Sequence, residues 1–251
     1  MPKIAFNGIR KVFPTDSANP VVAIEHVDLT VRHDEFVSIV GPSGCGKSTL
    51  LYLLGGFIDL SGGEILIDDR PVAGPGPDRG IVFQHFALFP WLTVLGNVEF
   101  GLTEQGIAKA KRREIAQRYI DMVKLSGFEN TFPNRLSGGM QQRVALARTL
   151  ACDPAVLLMD EPFGALDAQT RHILQEELLD IWRRKKKTVL FVTHDVREAV
   201  ILSERVVVMS ARPGQVKAVI EVERGRGDAA AAIEKQAEHI WSILRSEMTL
   251  T

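Results

Sequence analysis

Apolar and polar residues alternate along the first third of the 251-residue chain in a pattern that predicts β-strands. Short segments rich in Val, Ile and Phe lie between turn residues at KIAFNGIRKVF, VVAIEHVDLTV, FVSIV and, over 63–69, GEILIDD. After the loop PVAGPGPDRG, the run IVF at 81–83 predicts one more short strand. Continuous apolar runs at 155–160, AVLLMD, and at 188–194, TVLFVTH, are typical of parallel strands buried on both faces.

The other segments show helical spacing or a hairpin pattern. The stretch 104–126 predicts a helix because four of its apolar residues fall on one face: Ile115, Tyr119, Met122 and Val123. Further helices are predicted in MQQRVALARTLAC, in ALDAQTRHILQEELLDIWRRKKK and in the final stretch DAAAAIEKQAEHIWSILRSEM. The sequence RVVVMSARPGQVKAVIEVE predicts a β-hairpin that turns at Pro213 and Gly214.

The segment GPSGCGKST, residues 41–49, follows the predicted strand FVSIV and has three glycines within six positions. Glycines at this density indicate backbone shapes or close approaches that a Cβ atom would block. The spacing G-x-x-x-x-G-K-[ST] predicts a loop whose N–H groups surround a phosphate at the start of a helix. Lys47 would then contact the β- and γ-phosphates of a nucleoside triphosphate, and the Ser48 hydroxyl would bind Mg²⁺.

The whole loop is predicted to bind nucleotide, through Gly41, Pro42, Ser43, Gly44, Cys45, Gly46, Lys47, Ser48 and Thr49. The alternative is a glycine-rich turn with an incidental lysine. Cys45 lies at the predicted helix N-terminus, where positive potential is expected to lower the pKa of its thiol and make it reactive. Burial without reactivity is the alternative for this cysteine.

Polar side chains also follow the other apolar runs. Gln84 comes after IVF, Asp160 and Glu161 come at the end of AVLLM, and His194 follows TVLFVT. Ligands of open α/β sheets bind beyond the carboxyl ends of strands, so we expect these residues and the phosphate loop to converge on one crevice. Adjacent side chains of an extended strand point opposite ways, so one carboxylate can hold Mg²⁺ while the other faces the attacking water. Taken alone, the two acids could cap a helix before Pro162, and His194 could be structural.

The segment LSGGMQQRVALARTL, residues 136–150, predicts a second anion site. Ser137, Gly138 and Gly139 open a helix whose first N–H groups have no partners within the helix. A head-to-tail pair of identical chains would hold each nucleotide between the phosphate loop of one chain and the Ser-Gly-Gly helix of the other. The alternative is a serine N-cap followed by flexible glycines.

Strands that alternate with helices predict an α/β protein. We expect a P-loop (RecA-like) core with a mainly parallel sheet, an N-terminal antiparallel β subdomain and an inserted helical lobe. The expected organisation is a single domain over 1–251, with the nucleotide-binding core at about 1–85 and 151–225. The helical lobe is expected at about 86–150, and a C-terminal helix at 226–251.

Composition limits the function further. The formal net charge is −1, so the chain has no basic field that indicates nucleic-acid binding. The longest apolar stretches are shorter than the ~20 residues that span a bilayer, and the first residues lack the apolar core of a secretion signal. The two cysteines, Cys45 and Cys152, are not expected to form a disulfide, which fits a reducing cytoplasm. The basic run at 183–187 fits cations at a helix C-terminus.

The phosphate loop, Gln84, LSGGMQQR, LLMDE, GALD and His194 occur in the order and spacing of ABC-transporter ATP-binding subunits, which the chain resembles over about 1–215. The resemblance implies that ATP and Mg²⁺ are the ligands. It implies that Asp160 supports Mg²⁺ and that Glu161 is the general base or orients water. Gln84 would sense Mg²⁺ and the γ-phosphate beside the surface that meets the membrane subunit, while Lys47 and His194 would contact the phosphates.

The same resemblance assigns residues outside the phosphate loop. Ser137 and Gly139 would complete the site of a second copy, and Asp167 would lie in the loop that links the two sites. Phe13 would stack on adenine, in a position where the family often has tyrosine. Met140 after LSGG also departs from the glutamine often found there, and neither departure removes a group needed for activity.

Within the family, VFQHFALFPWLTVLGNV and MSARPGQV are similar to the nitrate, sulfonate and taurine importer branch. This implies an ATPase that powers uptake of a small anionic solute and binds permease subunits at the cytoplasmic face of the inner membrane. A periplasmic solute-binding protein would be an indirect partner. The segment 84–98 is the expected docking groove for a permease helix, since its apolar load is unusual for a loop and Pro90 interrupts a helix. The alternative is that these apolar residues only pack inside the chain.

Two other classes of function stay open at this point. A soluble ABC ATPase that is not coupled to transport, such as the cluster-assembly type, has a similar length and differs in the loop after Gln84 and in its partner. A P-loop kinase or a nucleotide-binding scaffold does not account for LSGG. A catalytically inactive scaffold is also not expected to keep Glu161.

Overall fold

A computed structural model of the chain describes residues 1–14, 20–164, 166–223 and 229–248. Ala165 of the GALD segment, and the ends of the stretch expected as a C-terminal helix, lie outside the described residues. The described residues form two compact units. The first unit consists of residues up to Gly76 and from Lys186 onward, and the second unit consists of Pro77–Lys185.

The helices and strands agree closely with the apolar segments of the sequence. In chain order they are β1 (Ile4–Phe13), β2 (Val21–Val31), β3 (Phe36–Val40), α1 (Lys47–Gly55), β4 (Gly62–Ile67), β5 (Arg70–Pro71), β6 (Arg79–Val82), α2 (Val94–Glu104), α3 (Lys109–Met122), a 3₁₀ turn (Pro133–Arg135), α4 (Gly138–Ala151), β7 (Val156–Asp160), α5 (Ala168–Lys185), β8 (Thr188–Val192), α6 (Val196–Leu202), β9 (Arg205–Met209), β10 (Gly214–Glu221) and α7 (Ala229–Met248).

A mixed sheet with strand order β5-β4-β1-β2-β10-β9-β3-β8 forms the first unit. Strand β1 pairs antiparallel with both β2 and β4, which gives the expected antiparallel N-terminal part. Strand β3 is fully buried and lies parallel to β8 on one side and β9 on the other, which fits a sequence that is apolar except at Ser38. Strands β9 and β10 form the predicted hairpin. Helix α7 packs its Ala237, Ile240 and Leu244 against Val206 and Val208 of β9.

The second unit combines two parallel strands with helices. Strand β6 pairs with β7 in a register that places Val82 opposite Met159. Helices α2, α3 and α4 follow one another between these strands and pack on each other through buried apolar residues. Among the described residues of either unit, no helix is long and apolar enough to cross a bilayer.

One predicted helix had the wrong bounds, and two helices of the structure were not predicted. The single helix expected over 104–126 is interrupted, since the chain turns at Gly106 with φ 72° and α3 begins only at Lys109. Helix α2 was not predicted, because the stretch up to residue 98 was interpreted as a loop. It begins directly after Thr93, whose side chain accepts a hydrogen bond from the Gly96 N–H at 3.2 Å. The short helix α6 was also missed.

Candidate functional site

The loop between β3 and α1 has the backbone of an anion-binding turn. Gly44 and Gly46 have φ values of 76° and 101°, in the left-handed region that other residues seldom adopt. Helix α1 begins at Lys47 without a side-chain cap, so its first N–H groups are directed into the loop. The predicted strand, loop and helix therefore occur in the expected order, with the residues of 41–49 around the start of α1.

The Lys47 side chain is 6% exposed and crosses its own loop. Its ammonium group donates to the carbonyl oxygens of Gly41 and Pro42, each at 2.9 Å, and lies 3.9 Å from the Cys45 sulfur. Burial of an ammonium group is tolerated because these carbonyls replace water as acceptors. Lys47 is thus held over the concave side of the loop, where a phosphate group would meet it.

The expected reactivity of Cys45 was based on a lowered thiol pKa, and that direction is wrong. The side chain is 0% exposed, and burial raises the pKa of the thiol more than the nearby Lys47 ammonium lowers it. Desolvation disfavours the charged thiolate, and a neighbour at 3.9 Å does not compensate for it. Cys45 is consequently a packing residue of the loop in its neutral form.

The rear of the phosphate loop rests on two strands that sequence reasoning did not connect with it. A Cβ atom on Gly214, the first residue of β10, would lie 2.1 Å from the Cys45 carbonyl oxygen. A Cβ on Gly46 would lie 3.0 Å from the Ala23 oxygen of β2, and Gly214 pairs with Ile24 in the same strand. The hairpin turn that presents Gly214 is fastened by Ser210, which accepts from the Gln215 N–H at 3.0 Å. The only sign of this contact in the sequence is Gly214 itself, because a strand normally begins with a residue that has a side chain.

His194 lies beside the phosphate loop because β3 and β8 are parallel neighbours. Ile39 pairs with Val192, so the residues after each strand leave the sheet side by side. The turn containing His194 is fixed on both sides, since Thr193 Oγ1 accepts from the Asp195 N–H at 3.0 Å and Asp195 caps α6. The imidazole itself is exposed, as a side chain that contacts a ligand should be.

The second unit brings Gln84 and the two acids to one edge. Because β6 and β7 are parallel, Gln84 follows one strand where Asp160 ends the other, and Gln84 Nε2 donates to Glu161 Oε2 at 3.4 Å. Asp160 is 1% exposed, whereas Glu161 is half-buried. The extended-strand geometry expected at Glu161 was wrong, because its φ of 43° turns the chain out of the strand at this residue.

The second predicted anion site also has the expected local structure. Ser137 caps α4 by accepting from the Met140 N–H at 3.3 Å, and Gly138 and Gly139 form the first helical positions. A Cβ on Gly139 would lie 2.6 Å from Thr170 Cγ2 of α5, so this glycine permits close packing. Asp167 accepts from the Thr170 N–H at 3.0 Å, and that bond lowers the pKa of its carboxyl group.

The aromatic segment that follows Gln84, residues 86–92, is held in place by one buried amide. Asn97 is 0% exposed; its Oδ1 accepts from the Phe89 N–H at 2.9 Å, and its Nδ2 donates to the carbonyls of Phe89, Leu92 and Thr93. The Phe89 ring lies 5.5 Å from the Trp91 ring, and Trp91 is 69% exposed. An exposed tryptophan on a rigid loop is typical of a binding surface.

Arg148 of α4 fastens the same segment from the other side. Its guanidinium donates to the carbonyls of Ala87 at 2.7 Å and Phe86 at 3.4 Å, and it lies 5.5 Å from the Phe89 ring. Burial removes water from the Arg148 guanidinium and lowers its pKa. The two carbonyls and the Phe89 ring replace part of the lost hydration. The expected docking segment is therefore an ordered part of the second unit.

Phe13 ends β1 and is partly buried. The Lys11 ammonium lies 4.8 Å from the centre of its ring and donates to the Asp59 carbonyl at 2.6 Å. One face of the ring is thus covered by a cation, and stacking of a base would use the other.

A family model described as ABC transporter matches residues 24–164, from β2 through the phosphate loop and signature helix to the segment after Glu161. The chain belongs to this family. It is an ATPase of the ABC-transporter type, and the prediction made from the order of its motifs is confirmed.

Two relatives indicate the branch of this ABC ATPase. It is 53% identical to a nitrate import ATP-binding protein of Synechocystis sp. over 197 residues, covering 78% of this chain and 74% of the relative. It is 47% identical to a taurine import ATP-binding protein of Yersinia pestis over 222 residues, which are 87% of both chains.

A solved structure with the same fold is a dimeric post-hydrolysis state of an ATP-binding cassette bound to ADP and Pi. Its TM-score is 0.79 at 35% identity, and the match covers 88% of this chain and 99% of the other. The predicted α/β class with a mainly parallel core, an antiparallel N-terminal part and a helical lobe is confirmed by this match.

Proposed function

We propose that this ABC ATPase powers the import of a small anionic solute, of the nitrate, sulfonate or taurine type, through a membrane permease. The observation that carries the proposal is the contact of Gln84 with Glu161 at 3.4 Å, at the head of the ordered aromatic segment 86–92. A change in the nucleotide bound beside Glu161 would shift Gln84 and, through the hydrogen-bonded segment 86–92, the exposed Trp91. A soluble ATPase without a membrane partner has no need of that surface.

In the proposed reaction, water attacks the γ-phosphorus of ATP and releases ADP and phosphate. Glu161 orients this water and accepts its proton, and Gln84 positions the Glu161 carboxylate. Lys47 and the N–H groups at the start of α1 bind the phosphates, and His194 contacts the γ-phosphate. Phe13 stacks on the adenine. These roles rest on the local geometry of each residue and on the family pattern.

The proposed Mg²⁺ ligands are the Ser48 hydroxyl, the Asp160 carboxylate and the side-chain oxygen of Gln84. All three are oxygen donors, which suit this hard cation, and the Gln84 nitrogen is already engaged by Glu161. Within the described residues, no three acidic, His or Cys side chains form a metal-binding cluster. Mg²⁺ is usually held by one or two carboxylates together with phosphate oxygens and water, and Asp160 is the single carboxylate of the proposed set. Bound there, Mg²⁺ would neutralise charge on the phosphates.

The active form is proposed to be a head-to-tail homodimer. Ser137, Gly138 and Gly139 at the start of α4 would meet the γ-phosphate held by the other copy, and Asp167 would lie in the loop between the two sites. The support is a capped helix start whose first N–H groups have no intrahelical partner, together with the dimeric state of the related cassette. The subunit would act at the cytoplasmic face of the inner membrane, with a periplasmic binding protein delivering solute to the permease.

Uptake by intact cells tests the proposal. A strain that lacks this chain is complemented with the wild type or with Glu161→Gln, and uptake of labelled nitrate, taurine and an alkanesulfonate is measured. We expect the wild type to restore uptake of one of these solutes and Glu161→Gln to fail. If the purified wild type hydrolyses ATP but uptake of all three is independent of the chain, the import proposal is wrong and a soluble ATPase is favoured.

A further inference from the structure

A cavity of about 420 Å³ lies within the second unit, between β6, the end of α2 and the end of α4. Its wall is mainly apolar, and its size lies within the range of small-molecule binding sites. The lining residues are Pro77, Arg79, Gly80, Ile81, Gly101, Glu104, Gln105, Thr149, Cys152 and Pro154. None of them is part of the nucleotide or permease sites proposed above.

The charges around the cavity select a cation. Helices α2 and α4 both end here, so both direct the negative end of a helix dipole towards it. The Glu104 carboxylate adds a full negative charge and has no hydrogen-bond or ion-pair partner among the described residues. The cation in the wall, Arg79, is already paired with Asp78 at 2.7 Å.

The polar donors of the wall are already used within the protein. Gln105 Nε2 donates to the Cys152 carbonyl at 3.2 Å, and the Thr149 hydroxyl lies 2.9 Å from the Ala145 carbonyl. The Cys152 sulfur lies 3.6 Å from the Arg148 carbonyl, and burial raises the pKa of its thiol. An anionic ligand would therefore have to compete with Asp78 for Arg79, whereas an ammonium group would find carbonyls and the Glu104 carboxylate.

We propose that this cavity binds a small amphiphilic amine, with its apolar body against Ile81 and Pro154 and its ammonium group at Glu104. The proposal concerns a site separate from ATP hydrolysis, and only its consequence for transport rests on the proposed function.

The wall of the cavity is connected to the aromatic segment 86–92 through α4. Thr149 and Cys152 line it, and Arg148, which precedes Thr149 in the chain, holds the carbonyls of Phe86 and Ala87. The end of α4 is also wedged, since a Cβ on Gly101 would lie 2.3 Å from Cys152 Sγ and one on Gly80 would lie 2.5 Å from Thr149 Cγ2. If a ligand displaces this turn, the turn cannot move closer to Gly80 or Gly101, because it already packs directly against both residues. Binding of a ligand in the cavity would therefore shift the surface that is proposed to dock the permease.

The test uses the full-length protein without nucleotide, and 2-phenylethylamine as the probe. Titration calorimetry compares it with ethylbenzene, its uncharged counterpart, on the wild type, on Glu104→Gln and on the control Glu114→Gln, an exposed acid of α3 paired with Lys111. We expect the amine to bind more tightly than ethylbenzene to the wild type. Glu104→Gln should weaken the binding of the amine by about fivefold, which is the effect expected for loss of a partly exposed charge pair. It should leave the affinity for ethylbenzene unchanged. Glu114→Gln should change neither.

A second measurement locates the ligand. Alkylation of Cys152 by N-ethylmaleimide, mapped by peptide mass spectrometry, should slow when 2-phenylethylamine is present, while alkylation of Cys45 stays the same. Equal binding of the amine and ethylbenzene, an unchanged amine affinity in Glu104→Gln, or alkylation of Cys152 that the amine does not slow would each overturn the proposal. Since no step requires ATP or a permease, such a failure leaves the import proposal untouched.

Discussion

Glu161 owes its position to an uncommon backbone conformation at the end of β7. Its φ of 43° turns the carboxylate away from the direction that the strand would give it and towards Gln84. Such conformations cost free energy for a residue with a Cβ, and they persist where the surrounding structure fixes them. This conformation places the Glu161 carboxylate beside Gln84, whereas Asp160, the last residue of the strand, is buried.

Glu161→Gln is expected to keep ATP binding and to slow hydrolysis by about 10²–10⁴-fold, the usual effect of removing a general base. The amide has nearly the same shape, so the loss comes from the missing proton acceptor. Steady-state phosphate release measures the rate, and size exclusion with Mg-ATP should show an accumulated dimer. Glu176→Gln, an exposed acid of α5, serves as the control. Hydrolysis at the wild-type rate by Glu161→Gln would remove this residue from the mechanism.

Cys45 should react slowly with maleimides at neutral pH. Burial raises the pKa of its thiol, so the thiolate fraction near pH 7 is smaller than for an exposed cysteine and grows only as the pH rises above the ordinary thiol range. Alkylation rates measured across pH by mass spectrometry, with and without denaturant, check this. We expect unfolding to speed the reaction strongly. Rapid alkylation of the native protein at pH 7 would show that the loop opens or that the thiolate is stabilised.

At the scale of single elements, the hairpin β9–β10 acts as a support for the phosphate loop. Gly214→Ala is expected to raise the dissociation constant for Mg-ATP by about tenfold or more, because the new Cβ must displace the Cys45 carbonyl and shift the loop. Fluorescent-nucleotide binding measures the affinity. If the glycine only positions the loop, kcat at saturating ATP falls much less than kcat/KM.

The matched control for this substitution is Gly62→Ala in β4. Its Cβ would meet only Arg10 Cβ at 3.5 Å, an ordinary contact in the same unit. Neither Gly214 nor Gly62 has a positive φ, so alanine brings no backbone strain at either position. Unchanged affinity in Gly214→Ala, with melting temperatures of both variants near that of the wild type, would contradict the supporting role of the hairpin.

Most strands could be predicted, and the reason lies in their burial. The mainly apolar sequences of β3, β7 and β8 belong to strands that are covered on both faces. Helix α2 was harder to predict, because Pro90, Gly96 and Gly101 weaken the helical pattern. One of these residues serves a tertiary contact, since Gly101 lets α2 approach Cys152 at the end of α4. Tertiary packing here overrides local propensity.

The local structure around the candidate site was predictable where a motif fixes residue types, as at Lys47, where the expected helix begins, and at Ser137, which caps a later predicted helix. The parts that were not predicted depend on contacts between segments distant in the chain. The approach of Gly214 to Cys45 needs the β2–β10 pairing, and the burial that neutralises Cys45 is a property of the whole first unit. Sequence spacing carries neither kind of information.

For the whole molecule, the proposed docking role of Trp91 can be tested separately from ATP hydrolysis. Trp91→Ala is expected to leave the ATPase rate of the isolated chain within about twofold, since the ring is 69% exposed and touches no proposed catalytic group. Assembly with the permease and solute uptake should fall, as for loss of an anchor that costs about 2 kcal/mol or more. Co-purification from membranes and uptake in cells are the measurements.

Phe57→Ala provides the matched control, because Phe57 is an exposed aromatic residue of the first unit that follows α1. It should change neither assembly nor uptake. If Trp91→Ala also assembles and transports normally, the docking surface lies elsewhere in the chain.

The order of β3 in the sheet has a consequence for how the protein is made. Strand β3 lies between β8 and β9, and both are synthesised long after it. The residues of 77–185, by contrast, leave the ribosome as one continuous stretch and contain the contacts of their own unit. Domains generally fold as units while synthesis proceeds, so this stretch can acquire its structure first. The phosphate loop cannot take its final structure before β8, β9 and Gly214 are synthesised. A nascent chain is therefore unable to bind ATP until its last third has emerged.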